Sequence, residues 1–231
     1  MSVAESIRET RERIEAACQR AGRDPKEVTL LAVSKTKPIS MLQEAYDAGQ
    51  RDFGENKVQE ILEKAPVLSE DIRWHMIGHL QRNKVRQVID KTVLIHSVDS
   101  FRLAEEINIQ ALKRRIVQDI LIEVNAAGEE SKFGVSCEDA LPLIEQISEL
   151  RGLKVRGLMT VAPYVVASEE NRPVFRKIKQ LSVDINNENI DNVSMDVLSM
   201  GMSGDYETAI EEGATIVRVG TGIFGERNYS R

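Results

Sequence analysis

One lysine stands where an apolar strand pattern meets a polar loop. Residues 28–33 are almost entirely apolar, and Ser34 and Lys35 follow them directly. A lysine at the buried end of a strand loses hydration, which disfavours its ammonium form. The neutral amine is a nucleophile that can condense with an aldehyde to form an imine. The alternative is a lysine that reaches the rim and keeps its charge in water, and strand position alone leaves both interpretations open.

Two loops rich in small residues offer a place for an anion. Residues 199–204 are Ser-Met-Gly-Met-Ser-Gly and precede a short helical pattern, and residues 220–222 are Gly-Thr-Gly. Small residues let backbone N–H groups approach an anion closely, and a helix start adds a favourable dipole. In a barrel of alternating strands and helices, the loops after the seventh and eighth strands often bind phosphate. The alternative is that both are tight turns in which glycine supplies a positive φ.

An arginine interrupts the last apolar segment. Arg218 lies within residues 216–219, two positions before Gly220. If its side chain faces the inside of a barrel, the guanidinium can donate to a ring nitrogen or to an anion. If it faces the surrounding helices, it only fills an amphipathic surface. Strand alternation leaves both faces open at this stage.

The histidines do not have the pattern of a metal site. His75 and His79 are four residues apart, but residues 74–77 have the pattern of a strand, not of a zinc-binding helix. We therefore expect no metal.

Lys132 follows the fifth apolar segment and an acidic turn at residues 128–130. It is either an alternative amine beside Lys35 or a solvated loop charge.

These residues are positioned by a regular alternation of short apolar segments and helical patterns. A helix over about residues 4–22 comes first, and Ser40 with Gln43 predicts a capping box at the start of the next one. Apolar residues at helical spacing then recur between the strand segments. The eight candidate strands lie at residues 28–33, 52–54, 74–77, 93–98, 120–124, 153–159, 197–200 and 216–219.

Eight strand–helix units predict an α/β fold, a single (β/α)8 TIM barrel over residues 1–231 with an extra N-terminal helix. An open doubly wound sheet is the alternative. It is weakened because no G-x-G-x-x-G motif follows the first strand segment.

The composition excludes several classes of protein. The net charge of −6 and the aromatic content of 4% argue against general binding of nucleic acid or of an anionic membrane. No apolar run reaches the ~18–20 residues of a membrane helix, and the first 20 residues are too charged for a secretory signal. With Cys18 and Cys137 as the only cysteines, we expect a cytoplasmic protein. No apolar stripe stands out, so we expect a monomer.

Eight sequence blocks together resemble the pyridoxal phosphate homeostasis protein family. They occur in one order along nearly the whole chain, which makes the resemblance specific. The blocks are LLAVSKTKP (30–38), FGENKVQE (53–60), WHMIGHLQRNK (74–84), HSVDS (96–100), EESKFGV (129–135), RGLMTVAP (156–163), LSMGMSGDYETAI (198–210) and VRVGTGIFGER (217–227).

The resemblance implies a barrel like that of alanine racemase, with pyridoxal 5′-phosphate (PLP) held as a Schiff base on Lys35. It also implies a set of further cofactor-binding residues and no catalytic ones. Ser199, Gly220 and Thr221 would bind the phosphate, Arg218 would lie beside the pyridine nitrogen, Asn56 would line the ring, and His79, Met159 and Met200 would lie near it. Lys57, where relatives often have an aromatic residue, and Met76, in place of a more usual Phe, depart from the family pattern.

Three functions fit these expectations. The first is a non-catalytic handler that buffers PLP and passes it transiently to PLP-dependent apoenzymes. The second is an amino-acid racemase of low activity, which needs two acid/base groups on opposite faces of the imine. Racemases of this type take one of the two groups, a tyrosine, from a second domain. The eight strand–helix units use the residues that such a domain would need. The tyrosines of this chain are Tyr46, Tyr164, Tyr206 and Tyr229. The third is a binding scaffold with a blocked site. The missing domain favours the handler.

Overall fold

Eight parallel strands close into a barrel in chain order. The computed structural model describes residues 1–129 and 132–226, and in it β8 pairs with β1 to complete the ring. The strands are β1 (Thr29–Val33), β2 (Asp52–Glu55), β3 (Arg73–Met76), β4 (Thr92–Val98), β5 (Gln118–Glu123), β6 (Leu153–Met159), β7 (Val193–Met202) and β8 (Ile216–Val219). The predicted closed barrel is confirmed, and the open sheet is excluded.

Helices separate the strands and cover the outside of the barrel. A first helix, α1 (Val3–Arg20), precedes β1, as the sequence predicted. The others are α2 (Ile39–Asp47), α3 (Val58–Lys64), α4 (Val85–Val88), α5 (Phe101–Arg114), α6 (Cys137–Ser148), α7 (Arg172–Asn187), α8 (Tyr206–Glu211) and α9 (Thr221–Phe224). Within residues 1–129 and 132–226, none of the helices combines the length and apolar character needed to cross a membrane.

The predicted capping box at Ser40 and Gln43 is wrong. Helix α2 begins at Ile39, its cap residue is Pro38, and no side chain caps its first turn. Pro38 is the last residue with extended backbone, at φ −70° and ψ 154°, so Ser40 already lies inside the helix. Gln43 instead donates to Asp47 one turn later, at 2.8 Å.

The barrel has two apolar layers because successive strand side chains point to opposite faces of the sheet. One cluster lies inside the barrel and contains Leu31, Leu94, Leu121, Met159 and Ile216. The larger cluster lies between the strands and the helices. The inside is filled by side chains rather than open, as in other barrels of eight strands.

Helix α1 supports the part of the barrel that carries the first small-residue loop, residues 199–204. Its apolar side, with Ile7 and Ile14, is buried against the barrel. On its outer side, Arg20 donates to Glu211 at 2.7 Å and to Glu207 at 3.0 Å, both in α8. Since α8 directly follows residues 199–205, these ion pairs connect the N-terminal helix to that loop.

Gly157 allows β6 and β7 to approach each other, and we expect Gly157→Ala to destabilise the fold. The residue has a φ of +152°, and an added Cβ would overlap the carbonyl oxygen of Val197. The expected loss is about 3 kcal/mol or more of unfolding free energy, measured by urea denaturation. Gly22→Ala is the matched control, since Gly22 also has a positive φ (+65°) but no atom within 4 Å of the added Cβ. Equal losses in the two variants would show that the strand contact is unimportant.

Candidate binding site

A cavity of about 390 Å³ opens where the strands end at their carboxyl termini. Its volume lies in the range of small-molecule sites, and this end of a (β/α)8 barrel is where such sites are found. It is lined by Val33, Lys35, Asn56, Ile77, Val161, Pro163, Tyr164, Val165, Asn171, Met202, Ser203, Gly204, Asp205, Arg218, Gly220 and Thr221.

Lys35 and Asn56 reach the cavity from neighbouring strands. Each residue follows its strand, β1 for Lys35 and β2 for Asn56, and each is half-buried. The Oδ1 atom of Asn56 is buried and has no hydrogen-bond partner within the described ranges 1–129 and 132–226. A buried polar atom without a partner is costly, so a ligand that donates to Asn56 fits this position.

The two small-residue loops meet at one side of the cavity. The backbone N–H groups of Gly220 and Gly222 both donate to the hydroxyl oxygen of Ser203, each at 3.2 Å. N–H groups that converge on one oxygen are arranged as an anion requires. Asp205 lies at the same place, but its two carboxylate oxygens accept from Met202 N–H at 2.7 Å and from Asn171 at 2.8 Å. The carboxylate therefore holds the loop together.

Arg218 faces the inside of the barrel, which answers the question that strand alternation left open. Its Nη1 donates to the carbonyl and hydroxyl oxygens of Ser199, both at 2.7 Å, and its Nη2 donates to the carbonyl of Thr160 at 2.7 Å. These bonds use three of the five N–H donors of a guanidinium. Burial lowers the pKa of Arg218 to about 10, against the attraction of Glu123 and Asp205, so the side chain stays a cation at neutral pH.

A chain of buried hydrogen bonds leads from Arg218 through the barrel to its opposite end. The hydroxyl of Ser199 lies 2.9 Å from His96 Nδ1, and His96 Nε2 lies 2.9 Å from His75 Nδ1. His75 Nε2 then lies 3.1 Å from a carboxylate oxygen of Asp52. Four strands contribute these residues: Ser199 comes from β7, His96 from β4, His75 from β3 and Asp52 from β2.

The proton positions along this chain follow from its two ends. Burial acts to raise the pKa of Asp52, but hydrogen bonds from His75 and Arg73 outweigh it and lower that pKa. The carboxylate is an acceptor only, so His75 donates to it through Nε2. When both rings are neutral, His96 donates to His75. The Ser199 hydroxyl then donates to His96 and accepts from Arg218. In this arrangement every bond of the chain points from the Arg218 cation toward the Asp52 carboxylate.

We expect the buried His96 ring to make folding stability fall in weak acid. Burial lowers the pKa of His96 well below its usual range, and His75 and Arg218 act in the same direction. The unfolded chain therefore binds a proton near pH 6.5 that the folded chain does not, so stability is lost as pH falls below that value. Between pH 7 and 5, wild type is expected to lose more unfolding free energy than His96→Gln. The difference should approach ~1.4 kcal/mol per pH unit at the acidic end. Urea titrations measure both profiles, and an equal loss of unfolding free energy with pH in wild type and His96→Gln would contradict this role of His96.

The structure separates the expected cofactor-binding residues into two groups. Lys35, Asn56, Arg218, Gly220 and Thr221 line the cavity together. The other four are not among the residues that line it. Ser199 is buried inside the barrel, Met159 belongs to the inner apolar cluster, Met200 belongs to the outer core, and His79 is exposed and stacks on Phe133 at a ring separation of 4.2 Å.

Lys132 has the contacts of a loop residue. It is half-buried, and its Nζ donates to a carboxylate oxygen of Glu129 at 2.5 Å. It does not line the cavity described above. Residues 130 and 131 of the predicted acidic turn and its block lie outside the described residues, as does residue 227 of the last block.

Several cavity residues were not singled out from the sequence. Ser203 lies within the predicted small-residue loop, but the resemblance implies a phosphate contact for Ser199, the other serine of that loop. Val161 follows β6 within a block that the resemblance identified, and Tyr164, directly after that block, was named only as a tyrosine that a racemase could use. Asn171 gave no signal in the sequence. Among the described residues, no group of His, Cys, Asp and Glu is placed to hold a metal ion.

The fold and the site define a barrel of the alanine racemase N-terminal type. Residues 6–228 match the family model described as alanine racemase, N-terminal domain. The alanine racemase of Clostridium difficile 630 has the same fold, with a TM-score of 0.76 at 12% identity. That match covers 98% of this chain and 58% of the racemase chain.

Relatives that match along their full length are more similar in sequence than this racemase. A pyridoxal phosphate homeostasis protein of Aquifex aeolicus (strain VF5) is 50% identical over 230 residues, which is 99% of this chain and 100% of that protein. PipY of Synechococcus elongatus PCC7942, whose structure was solved with PLP bound, is 34% identical with a TM-score of 0.82. That match covers 97% of this chain and all of PipY. The chain belongs to the pyridoxal phosphate homeostasis protein family, as the sequence blocks predicted.

Proposed function

We propose that this protein binds PLP in the cavity, as a Schiff base on Lys35, and serves to store and supply the cofactor. The observation that carries the proposal is that an amine, a buried guanidinium and a set of converging N–H groups all belong to one cavity. An aldehyde, a pyridine ring and a phosphate are the three groups of PLP that match them. PipY, a relative at 34% identity, has been solved with PLP bound, which supports this choice of ligand.

The phosphate is best matched by the small-residue loops. We keep Gly220 and Thr221 in this role and add Ser203 and Gly204, which line the same side of the cavity. We assign the serine contact to Ser203 rather than Ser199, because the Ser199 hydroxyl bonds to Arg218 and His96 inside the barrel. A phosphate oxygen would then replace the Ser203 hydroxyl as the acceptor of the Gly220 and Gly222 N–H groups.

The pyridine ring is best matched by Arg218 and Asn56. A guanidinium only donates hydrogen bonds, so beside the pyridine nitrogen it keeps that nitrogen unprotonated. The ring then withdraws electrons weakly, because this role of PLP depends on an acidic partner at that nitrogen. Such a site suits retention of the cofactor, or a reaction that needs only modest stabilisation of a carbanion.

The racemase alternative needs a second acid/base group, and the tyrosines give it limited support. Tyr46 donates to Asp71 at 2.8 Å on the outside of the barrel, and Tyr206 is buried in the outer core. Tyr164 lines the cavity but is 98% exposed. Tyr229 lies outside the described residues. Tyr164 is therefore the candidate that a racemase hypothesis must use.

Two assays on PLP-loaded protein test the proposal. In the first, loaded protein is mixed with a PLP-dependent apoenzyme and excess semicarbazide, which traps free aldehyde. We expect recovery of apoenzyme activity under conditions in which the same amount of free PLP gives none. No recovery would contradict the supply role, and a protein that takes up no PLP would support the blocked scaffold.

The second assay follows D-alanine formation from L-alanine. We expect turnover well below about 1 s⁻¹, which lies at the low end of ordinary enzymes. Turnover above that value, lost in Tyr164→Phe, would establish the racemase instead.

A further inference from the structure

The loop that carries Lys35 contains an unusual turn. The N–H of Lys37 donates to the carbonyl of Ser34 at 3.1 Å, which closes a four-residue turn with Lys35 and Thr36 in its centre. Thr36 has a φ of +63°. A positive φ at the third residue of a turn normally requires glycine or asparagine, and a β-branched residue there is a rare and strained exception. The side chain of Thr36 is exposed, so its own packing does not explain this conformation.

A buried ion cluster lies directly beneath this turn. The ammonium of Lys64, in α3, donates to the carbonyl of Ser34 at 2.9 Å, to Glu55 at 2.8 Å and to Glu60 at 2.7 Å. These three bonds use all the donors of a lysine. Lys64 is 5% exposed and Glu55 is fully buried.

The cluster binds the backbone on both sides of Lys35. Lys64 binds the carbonyl of Ser34, which belongs to the peptide group before Lys35. Glu60 accepts from the N–H of Thr36, which belongs to the peptide group after it, at 2.7 Å. The ion pair between Lys64 and Glu60 joins the two contacts. The cluster therefore fixes the orientation of both peptide groups.

We propose that Lys64 is a positioning residue, which with Glu60 holds the strained Thr36 turn and so directs the Lys35 amine into the cavity. The proposal rests on the proposed function of Lys35. In the covalent step, Lys35 Nζ attacks the aldehyde carbon of PLP, a C=N bond forms, and the aldehyde oxygen leaves as water with two protons from the amine. Positioning acts on this step, because it decides where the amine meets the aldehyde.

Pyridoxamine 5′-phosphate separates positioning from general support of the fold. It has the ring and phosphate of PLP but no aldehyde, so it forms no bond to Lys35. If Lys64 positions the amine, its loss weakens PLP binding and leaves pyridoxamine 5′-phosphate binding unchanged. If Lys64 only maintains the cavity, both ligands lose affinity together.

The test variant must not leave a buried charge without a partner. Lys64→Met alone leaves Glu55 and Glu60 without their shared cation, and one oxygen of Glu55 already has no partner within residues 1–129 and 132–226. The double variant Glu55→Gln with Lys64→Met removes the charges of both buried residues, and the half-buried Glu60 keeps its bond from the N–H of Thr36. Lys91→Met is the matched control, since Lys91 forms an ion pair with Asp90 and neither residue lines the cavity.

Dialysis binding of both ligands and borohydride trapping on wild type and variants test the proposal. We expect the double variant to bind PLP at least about tenfold more weakly than wild type, with pyridoxamine 5′-phosphate binding and the Lys91→Met control unchanged. Adding Thr36→Gly, which relieves the strained turn, should restore part of the PLP affinity. Equal loss of both ligands, unchanged PLP affinity, or no restoration by Thr36→Gly would each overturn the positioning role. A wild-type protein that traps no PLP at Lys35 would instead refute the proposed function.

Discussion

Replacing Lys35 with alanine should abolish covalent retention of PLP and weaken its binding on the order of a hundredfold, about 2.7 kcal/mol. The residues proposed to contact the ring and the phosphate, namely Asn56, Arg218 and the small-residue loops, remain in this variant, so residual non-covalent binding is expected. Equilibrium dialysis measures the affinity, and the visible absorbance of the imine reports the covalent bond. Both should change together.

Lys132→Ala is the matched control for this experiment. Lys132 is the other lysine that the sequence placed near the rim, but it pairs with Glu129 and does not line the cavity. It should retain the absorbance and the affinity of wild type. If Lys35→Ala keeps the imine absorbance while Lys132→Ala loses it, the amine has been assigned to the wrong residue.

Replacing Arg218 with methionine should be the most destabilising of these changes. The guanidinium is the donor for the carbonyls of Ser199 and Thr160 and for the Ser199 hydroxyl, all of them buried. Its loss leaves the Thr160 carbonyl and the Ser199 hydroxyl without this donor, while the Ser199 carbonyl still accepts from the N–H of Thr160 at 3.1 Å. It also removes a cation that acts to lower the pKa of Glu123. We expect a loss of about 3 kcal/mol or more in the free energy of unfolding, measured by urea denaturation.

The same variant should show a pH dependence through Glu123. Burial and the charge of Asp99 raise the pKa of Glu123 to about 7, and Arg218 acts in the opposite direction. Without Arg218 the folded-state pKa rises further, so ionising this buried carboxyl above pH 7 costs more. The stability deficit of Arg218→Met is therefore expected to be larger at pH 8 than at pH 6.

Arg176→Met is the matched control, because it removes an exposed guanidinium instead of a buried one. Arg176 is 67% exposed in its side chain and pairs with Glu212 at 2.9 Å. An exposed ion pair of this kind contributes about 1 kcal/mol at most. If Arg176→Met and Arg218→Met lose similar stability, or if the Arg218→Met deficit is independent of pH, the role given to the buried arginine is wrong.

Much of the fold could be predicted from the sequence because its signals are local. The predicted bounds of β6 and β8 agree with the structure. Both segments are apolar apart from single charged residues or a glycine, and a small or polar residue, Thr160 or Gly220, directly follows each of them. β7 extends over Val193–Met202, beyond the predicted residues 197–200. Its first residues include polar Ser194 and Asp196, so the apolar pattern shows only the buried part of the strand.

The site was predicted in part, and strand geometry explains the difference. Lys35, Asn56, Gly220 and Thr221 lie just beyond the strand ends, where position in the sequence decides access to the cavity. Ser199 lies three residues before the end of β7, so its side chain is inside the barrel below the rim.

The hydrogen-bond chain could not be predicted at all. His75, His96 and Ser199 come from three strands, and their contacts depend on the relative register of those strands. No local pattern in the sequence contains this information. The same holds for the cluster of Glu55, Glu60 and Lys64, whose contact with the turn at Thr36 joins separate segments.

Lys35 is the residue proposed to bind PLP. The most direct test of this assignment is borohydride reduction of the PLP-loaded wild-type protein, followed by peptide mapping by mass spectrometry. We predict one pyridoxyl group per chain, on the peptide that contains Lys35. A label on another lysine, or no label in a protein that has taken up PLP, would contradict it.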